Sequence, residues 1–142
     1  VMFESGAMVQ YLIDRYGNGK LQPEVGTADH ALYLQWSWFA EATFSRPLGE
    51  VVNHGREFPG DRQIPEVVEE MKNRASLSLD AVADEVADKE YLIANRFSAA
   101  DIMMGYTIML ADRVLGKPLP KKILPYWERL SEREGYQIAQ KA

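Results

Sequence analysis

The chain has 142 residues and no cysteine. That excludes disulfides, thiolate metal sites, iron–sulfur ligation and a cysteine nucleophile within it. Histidine is nearly as scarce: only His30 and His54, on separate segments. Metal sites need clustered ligands, so both histidines are expected at the surface and no metal is expected. Excess positive charge is also missing. Sixteen basic against 21 acidic side chains leave a net charge of −5, which does not attract phosphate backbones, so a nucleic-acid partner is not expected. No apolar run approaches the roughly 20 residues that span a bilayer. Nor does a basic segment followed by an apolar run open the chain, as in a signal peptide. No membrane partner and a cytoplasmic location are therefore expected.

The remainder is ordinary soluble protein. Hydrophobic residues make up 46% and charged residues 26%, proportions that exclude disorder and low complexity. The length suits a domain burying roughly 70% of its unfolded surface.

Helical periodicity dominates. Met8, Tyr11, Leu12 and Tyr16 predict a helix over 5–16, with Ser5 as N-cap and Gly17 closing it. Val1 to Phe3 reads as the tail of a strand. Residues 17–27 hold three glycines and a proline and read as a linker, with Thr27 or Asp29 capping the second helix. In that helix, over 28–46, Ala28, Leu32, Trp36, Phe39, Thr43 and Arg46 share one stripe. Ala31, Leu34, Trp38 and Ala42 carry the apolar surface past half the circumference. Such a helix needs two partners, and Pro47 is expected to kink or end it. Residues 53–65 read as turns. A long helix is predicted over 65–89, with Pro65 in the first turn.

Ser98-Ala99-Ala100-Asp101 reads as a capping box with aspartate in the third helical position. Phe97 and Ile102 sit at the staple positions. The uncharged run Ile102 to Ala111 predicts a fully buried central helix, with Gly105 admitting a close neighbour. Leu124, Trp127 and Leu130 mark a short helix, and a last one begins near 136.

Few residues suggest chemistry. The acidic cluster Asp84, Glu85, Asp88 and Glu90 reads as a solvated face. Asp101 is explained by its cap rather than as a general base. At Thr43 and Arg46 an apolar stripe turns polar, as where a core face opens into a pocket. Glu4-Ser5, at a strand-to-helix junction, combines free backbone N–H groups, a helix dipole and a hydroxyl. With the Glu4 carboxylate beside it for an ammonium group, the pair suits a zwitterionic amino-acid head. A plain N-cap is the alternative.

Phe3-Glu4-Ser5-Gly6-Ala7-Met8-Val9-Gln10-Tyr11-Leu12 resembles the E-S-x-A-I-x-x-Y-L segment of cytosolic glutathione transferases, and the aromatic-rich second helix most resembles bacterial members. Tyr91-Leu92-Ile93 and Phe97 to Ile102 resemble the turn and capping box before the buried helix of their helical domain. The resemblance implies an all-α fold, a glutathione-transferase C-terminal-like bundle, preceded by the last strand and helix of a truncated thioredoxin-like domain. The implied divisions are 1–17 for the end of the thioredoxin-like domain, 18–27 for the linker and 28–142 for the helical domain.

The same resemblance implies that Glu4 and Ser5 hold the γ-glutamyl head of glutathione, as co-substrate and source of the reactive sulfur. Phe39, Thr43 and Arg46 would face the pocket for a small hydrophobic electrophile. A homodimer would use the broad apolar second helix. Family members are longer, and their thiol-activating residue lies ahead of the matched part. No catalytic residue can therefore be assigned in this chain, which alone is expected to be inactive and reads as a piece of a longer enzyme. A free-standing, non-catalytic interaction module of the same fold is the alternative.

Overall fold

A computed structural model describes residues 1–141. The helices are α1 (Ser5–Tyr16), α2 (Ala28–Trp38), α3 (Ser45–Glu57), α4 (Pro65–Glu85), α5 (Ala99–Val114), α6 (Leu124–Ser131) and α7 (Glu134–Ala139). A π-helical segment, Phe39–Phe44, joins α2 to α3, and short 3-10 turns cover Gly60–Arg62 and Lys121–Ile123. No strand is formed among the described residues; the one bridge pairs Ile93 with Arg96. Val1 to Glu4 are thus irregular rather than extended in a sheet. A strand exists only by pairing, and no described residue pairs with Val1–Phe3.

The second helical region departs most from expectation. Pro47 does not end it: the helical path runs unbroken from Ala28 to Glu57. Proline lacks the N–H that the Thr43 carbonyl would take in an α-helix. The chain absorbs this by widening one turn before it, where the Ser45 N–H donates to the Ala40 carbonyl five residues back. The widened turn also changes which side chains face inward. Tyr33, Trp36, Ala40, Phe44 and Leu48 are buried, in steps of four beyond Trp36, whereas Thr43 and Arg46 are exposed. α3 extends through His54 to Glu57, where turns were expected, and α4 ends at Glu85 rather than 89. His54 Nε2 accepts from the Ile64 N–H at 2.9 Å, which fastens the return from α3 to α4.

α5 is central and packs against α2, the π segment, α3 and α6. Ala100, Met104, Ile108 and Ala111 supply a fully buried face. At Gly105 an added Cβ would lie 3.3 Å from Leu130 Cδ1, so the glycine does let α6 approach closely. The helix is not buried all round, however: Ile102 is 43% and Tyr106 59% exposed. One turn apart, they form a stripe left exposed among the described residues.

The linker is docked. Leu21 adopts a left-handed φ of 64°, and its carbonyl accepts from the Ala99 N–H at 2.8 Å. Thr27 caps α2, accepting from the His30 N–H at 3.2 Å and donating to the Glu24 carbonyl at 2.7 Å.

Candidate functional site

α1 begins where the sequence places it, but its cap differs. Glu4, not Ser5, stands at the N-cap, with φ 69° and ψ 110° and no side-chain cap bond. That backbone conformation is costly for a residue with a side chain. The first intrahelical bond runs from the Met8 N–H to the Glu4 carbonyl at 2.9 Å. The N–H groups before it therefore have no carbonyl within the helix. Glu4 and Ser5 are both exposed beside them.

A third group reaches the same turn. A Cβ built on Gly6 would lie 2.1 Å from Oε2 of Glu41, so the Glu41 carboxylate lies against the first turn of α1. Sequence periodicity puts Glu41 only on the wet side of its helix; nothing local signals that it meets α1. The two elements border a groove of about 470 Å³, lined by Gly6, Gln10, Tyr11, Tyr33, Trp38 and Glu41 among others.

Below the groove, polar side chains fix α1 to its neighbours. The Tyr33 hydroxyl donates to Gln10 Oε1 at 2.8 Å. Gln10 Nε2 donates to Asp14 at 2.8 Å and to Gln22 at 2.9 Å, and Gln22 donates to Asp14 at 3.1 Å. Burial raises the pKa of Tyr33 above that of a free tyrosine, and the Asp14 charge adds to the effect. Its hydroxyl thus stays a donor.

The residues expected to wall an acceptor pocket lie apart from this groove. Phe39 is half-buried, edge-on to Trp36 with ring centroids 5.2 Å apart. Thr43, in the widened turn, and Arg46, at the start of α3, are exposed. The three line neither the groove nor a second cavity, which the sequence does not signal. That cavity, about 820 Å³, lies between α5 and α7, beside Ile102, Tyr106, Met109 and Arg133. The Arg133 guanidinium stands 3.4 Å over the Phe97 ring at its edge.

Ser98 and Asp101 form the capping box. The Asp101 carboxylate is fully buried and does more than cap. Its Oδ2 accepts from the Ser98 N–H at 2.8 Å and the Ser98 hydroxyl at 2.9 Å. Its Oδ1 accepts from the Leu92 N–H at 3.0 Å and the Tyr126 hydroxyl at 2.9 Å. Four donors from three segments leave no lone pair for a substrate proton. Burial, reinforced by the Asp101 charge, holds the Tyr126 pKa well above the usual phenol value.

The two histidines have local roles. His54 is occupied by Ile64, and His30 stacks on Tyr33 with centroids 5.9 Å apart. Among the described residues no three His, Cys, Asp or Glu side chains cluster as metal ligands. No helix among them is long and apolar enough to cross a membrane.

No protein-family model matches the chain. Glutathione S-transferase 3 of Schizosaccharomyces pombe is 29% identical over 147 residues, covering 96% of this chain and 61% of that protein. The chain thus spans about three fifths of the curated relative it matches. Among solved structures, glutathione transferase URE2P6 from Phanerochaete chrysosporium, in complex with oxidized glutathione, superposes with a TM-score of 0.86 at 20% identity. It covers 99% of this chain and 66% of the other. The beta class glutathione S-transferase of Sphingomonas chungbukensis gives 0.82 at 22% identity, covering 99% and 67%. The chain thus has the all-helical fold of the glutathione-transferase C-terminal domain, and it resembles that family in sequence over nearly its whole length.

Proposed function

We propose that this chain is the helical domain of a glutathione transferase, residues 28–142, joined through linker 18–27 to the end of a thioredoxin-like domain, 1–17. The observation that carries the reading is the Glu4-Ser5 pair at the open start of α1. In the intact protein the backbone N–H groups and the Ser5 hydroxyl take the carboxylate of the γ-glutamyl head, and the Glu4 carboxylate takes its ammonium group. Charges of opposite sign are thereby matched at both ends of a zwitterion.

The reaction is attack by the glutathione thiolate on an electrophilic carbon. A C–S bond forms, and either a leaving group departs with its electron pair or the adduct takes up a proton. The residue that stabilises the thiolate lies upstream. Phe39, Thr43 and Arg46 are assigned to the hydrophobic electrophile by the family resemblance alone, since they line neither the groove beside α1 nor the cavity between α5 and α7, and no metal takes part. The protein works in the cytoplasm as a homodimer, joined through the exposed apolar residues of α2, Leu34 and Trp38, with neither nucleic acid nor membrane as partner.

Steady-state kinetics of the full-length protein with glutathione and an aryl halide test this. Ser5→Ala is expected to raise the glutathione KM roughly tenfold, equivalent to about 1.4 kcal/mol. Unchanged KM would remove Ser5 from the site. Calorimetric titration of the chain alone is expected to show weak glutathione binding and no conjugation. The competing reading is a non-catalytic interaction module, for which the 67% exposed Trp38 on α2 would be a docking residue. Full-length protein that neither binds nor conjugates glutathione would favour it.

A further inference from the structure

Thr107 is a polar residue buried in the middle of α5. Its hydroxyl lies 3.2 Å from two carbonyls, those of Met103 and Ala40. The bond to Met103, one turn back, is available to any threonine in a helix. The bond to Ala40 is different, because it crosses from α5 to the π segment. Ala40 is itself fully buried, and its carbonyl also accepts the Ser45 N–H that defines the widened turn. The hydroxyl has one proton, shared between Met103 and Ala40, so the Ala40 oxygen takes the Ser45 N–H along its own helix and a share of the Thr107 proton across to α5.

A π turn holds one residue more than the α-helix into which it would otherwise relax, and such turns are rare without a local cause. Pro47 supplies part of the cause by withholding a donor. It does not dictate which carbonyl turns toward α5, and the Thr107 hydroxyl is the side-chain donor that meets the Ala40 carbonyl there. The neighbours of Ala40 on either side are Phe39, edge-on to Trp36, and Glu41, whose carboxylate lies against Gly6 at the start of α1. We infer that Thr107 is a positioning residue: its hydroxyl pins the π turn at Ala40 and thereby places Phe39 for the electrophile and Glu41 against the glutathione end of α1. The functional half of this inference rests on the reading of those two regions as the acceptor and glutathione sites.

The test uses the full-length protein with Thr107→Val, which keeps the shape and loses the donor, and Thr107→Ser, which keeps the donor. Amide hydrogen exchange reads the pin without reference to activity. Exchange at Ser45 is expected to quicken up to roughly tenfold in the valine variant, the range of one net hydrogen bond, and to stay near wild type in the serine variant. In kinetics, the valine variant is expected to raise the electrophile KM several-fold with kcat little changed, and serine to restore it. Equal exchange at Ser45 in all three proteins overturns the pin. Altered exchange with unaltered KM values in an active enzyme overturns the positioning role. If wild type shows no conjugation, the proposed function fails while the exchange comparison still decides the pin. Should the valine variant not fold, Thr107→Ala set against Thr107→Ser isolates the same hydroxyl.

Discussion

Asp101 is the residue on which most of the interior polar bonding converges. Removing its carboxylate leaves the Ser98 and Leu92 N–H groups and the Tyr126 hydroxyl without their acceptor in a site closed to water. An unsatisfied buried donor costs about 1–3 kcal/mol. Asp101→Ala is therefore expected to lose about 3 kcal/mol or more in urea unfolding. Tyr126→Phe, which removes one bond to a charged acceptor, is expected to lose about 2 kcal/mol. The reverse order would show that the carboxylate is not the hub. Tyr126 also sets an alkaline limit. Its folded-state pKa lies above the unfolded value of 10.0, so above that pH the unfolded chain releases a proton that the folded chain retains. Its contribution is complete below pH 10 and is lost as pH rises toward the folded value. Denaturation midpoints measured from pH 8 to 11 are expected to fall less steeply in Tyr126→Phe than in wild type.

Among the elements, the junction of α2, the π segment and α1 is where local rules are overridden. Gly6 lies one residue into α1, where alanine would ordinarily favour the helix by roughly 0.5–1 kcal/mol. Here the Glu41 carboxylate occupies the space of its Cβ. Gly6→Ala is expected to be neutral or destabilising in wild type and stabilising in a Glu41→Ala background. A thermal-denaturation double-mutant cycle measures that change of sign, and additive effects would mean that Glu41 swings clear at no cost. α1 itself, Thr27 as a cap, the Ser98–Asp101 box and the close approach at Gly105 were all legible in the sequence. Each depends on residues a few positions apart or on one small residue in an apolar run. The π segment was not legible. Pro47 reads as a kink or an end, and the widened turn before it, with Ala40, Phe44 and Leu48 buried, carries the helix through.

For the whole molecule the same distinction holds. The all-helical architecture and its order follow from periodicity. The groove between α1 and α2 and the cavity between α5 and α7 do not, since their walls come from segments far apart in the chain. Of the candidate site, Glu4 and Ser5 were legible through a motif, while Glu41 beside them required the tertiary approach of two helices. The exposed Trp38 and Leu34 lie one turn apart on α2. Replacing Trp38 with glutamate is expected to convert a dimer of the full-length protein to monomer in sedimentation, and an unchanged molecular weight would place the interface elsewhere.

The bond from the Ala99 N–H to the Leu21 carbonyl bears on how the molecule comes together. An orphan donor at the start of the central helix is satisfied by a stretch that, by composition, is only a connector. One donor in the first turn of α5 is thus met by a segment far back in the chain, a non-local contact of the kind that slows folding. The segment 18–27, proposed as a linker, is therefore also a hydrogen-bonding partner of the bundle. Loss of the Leu21 carbonyl would leave the Ala99 N–H to water, so the connector helps to complete the central helix as well as tethering α1 to the bundle.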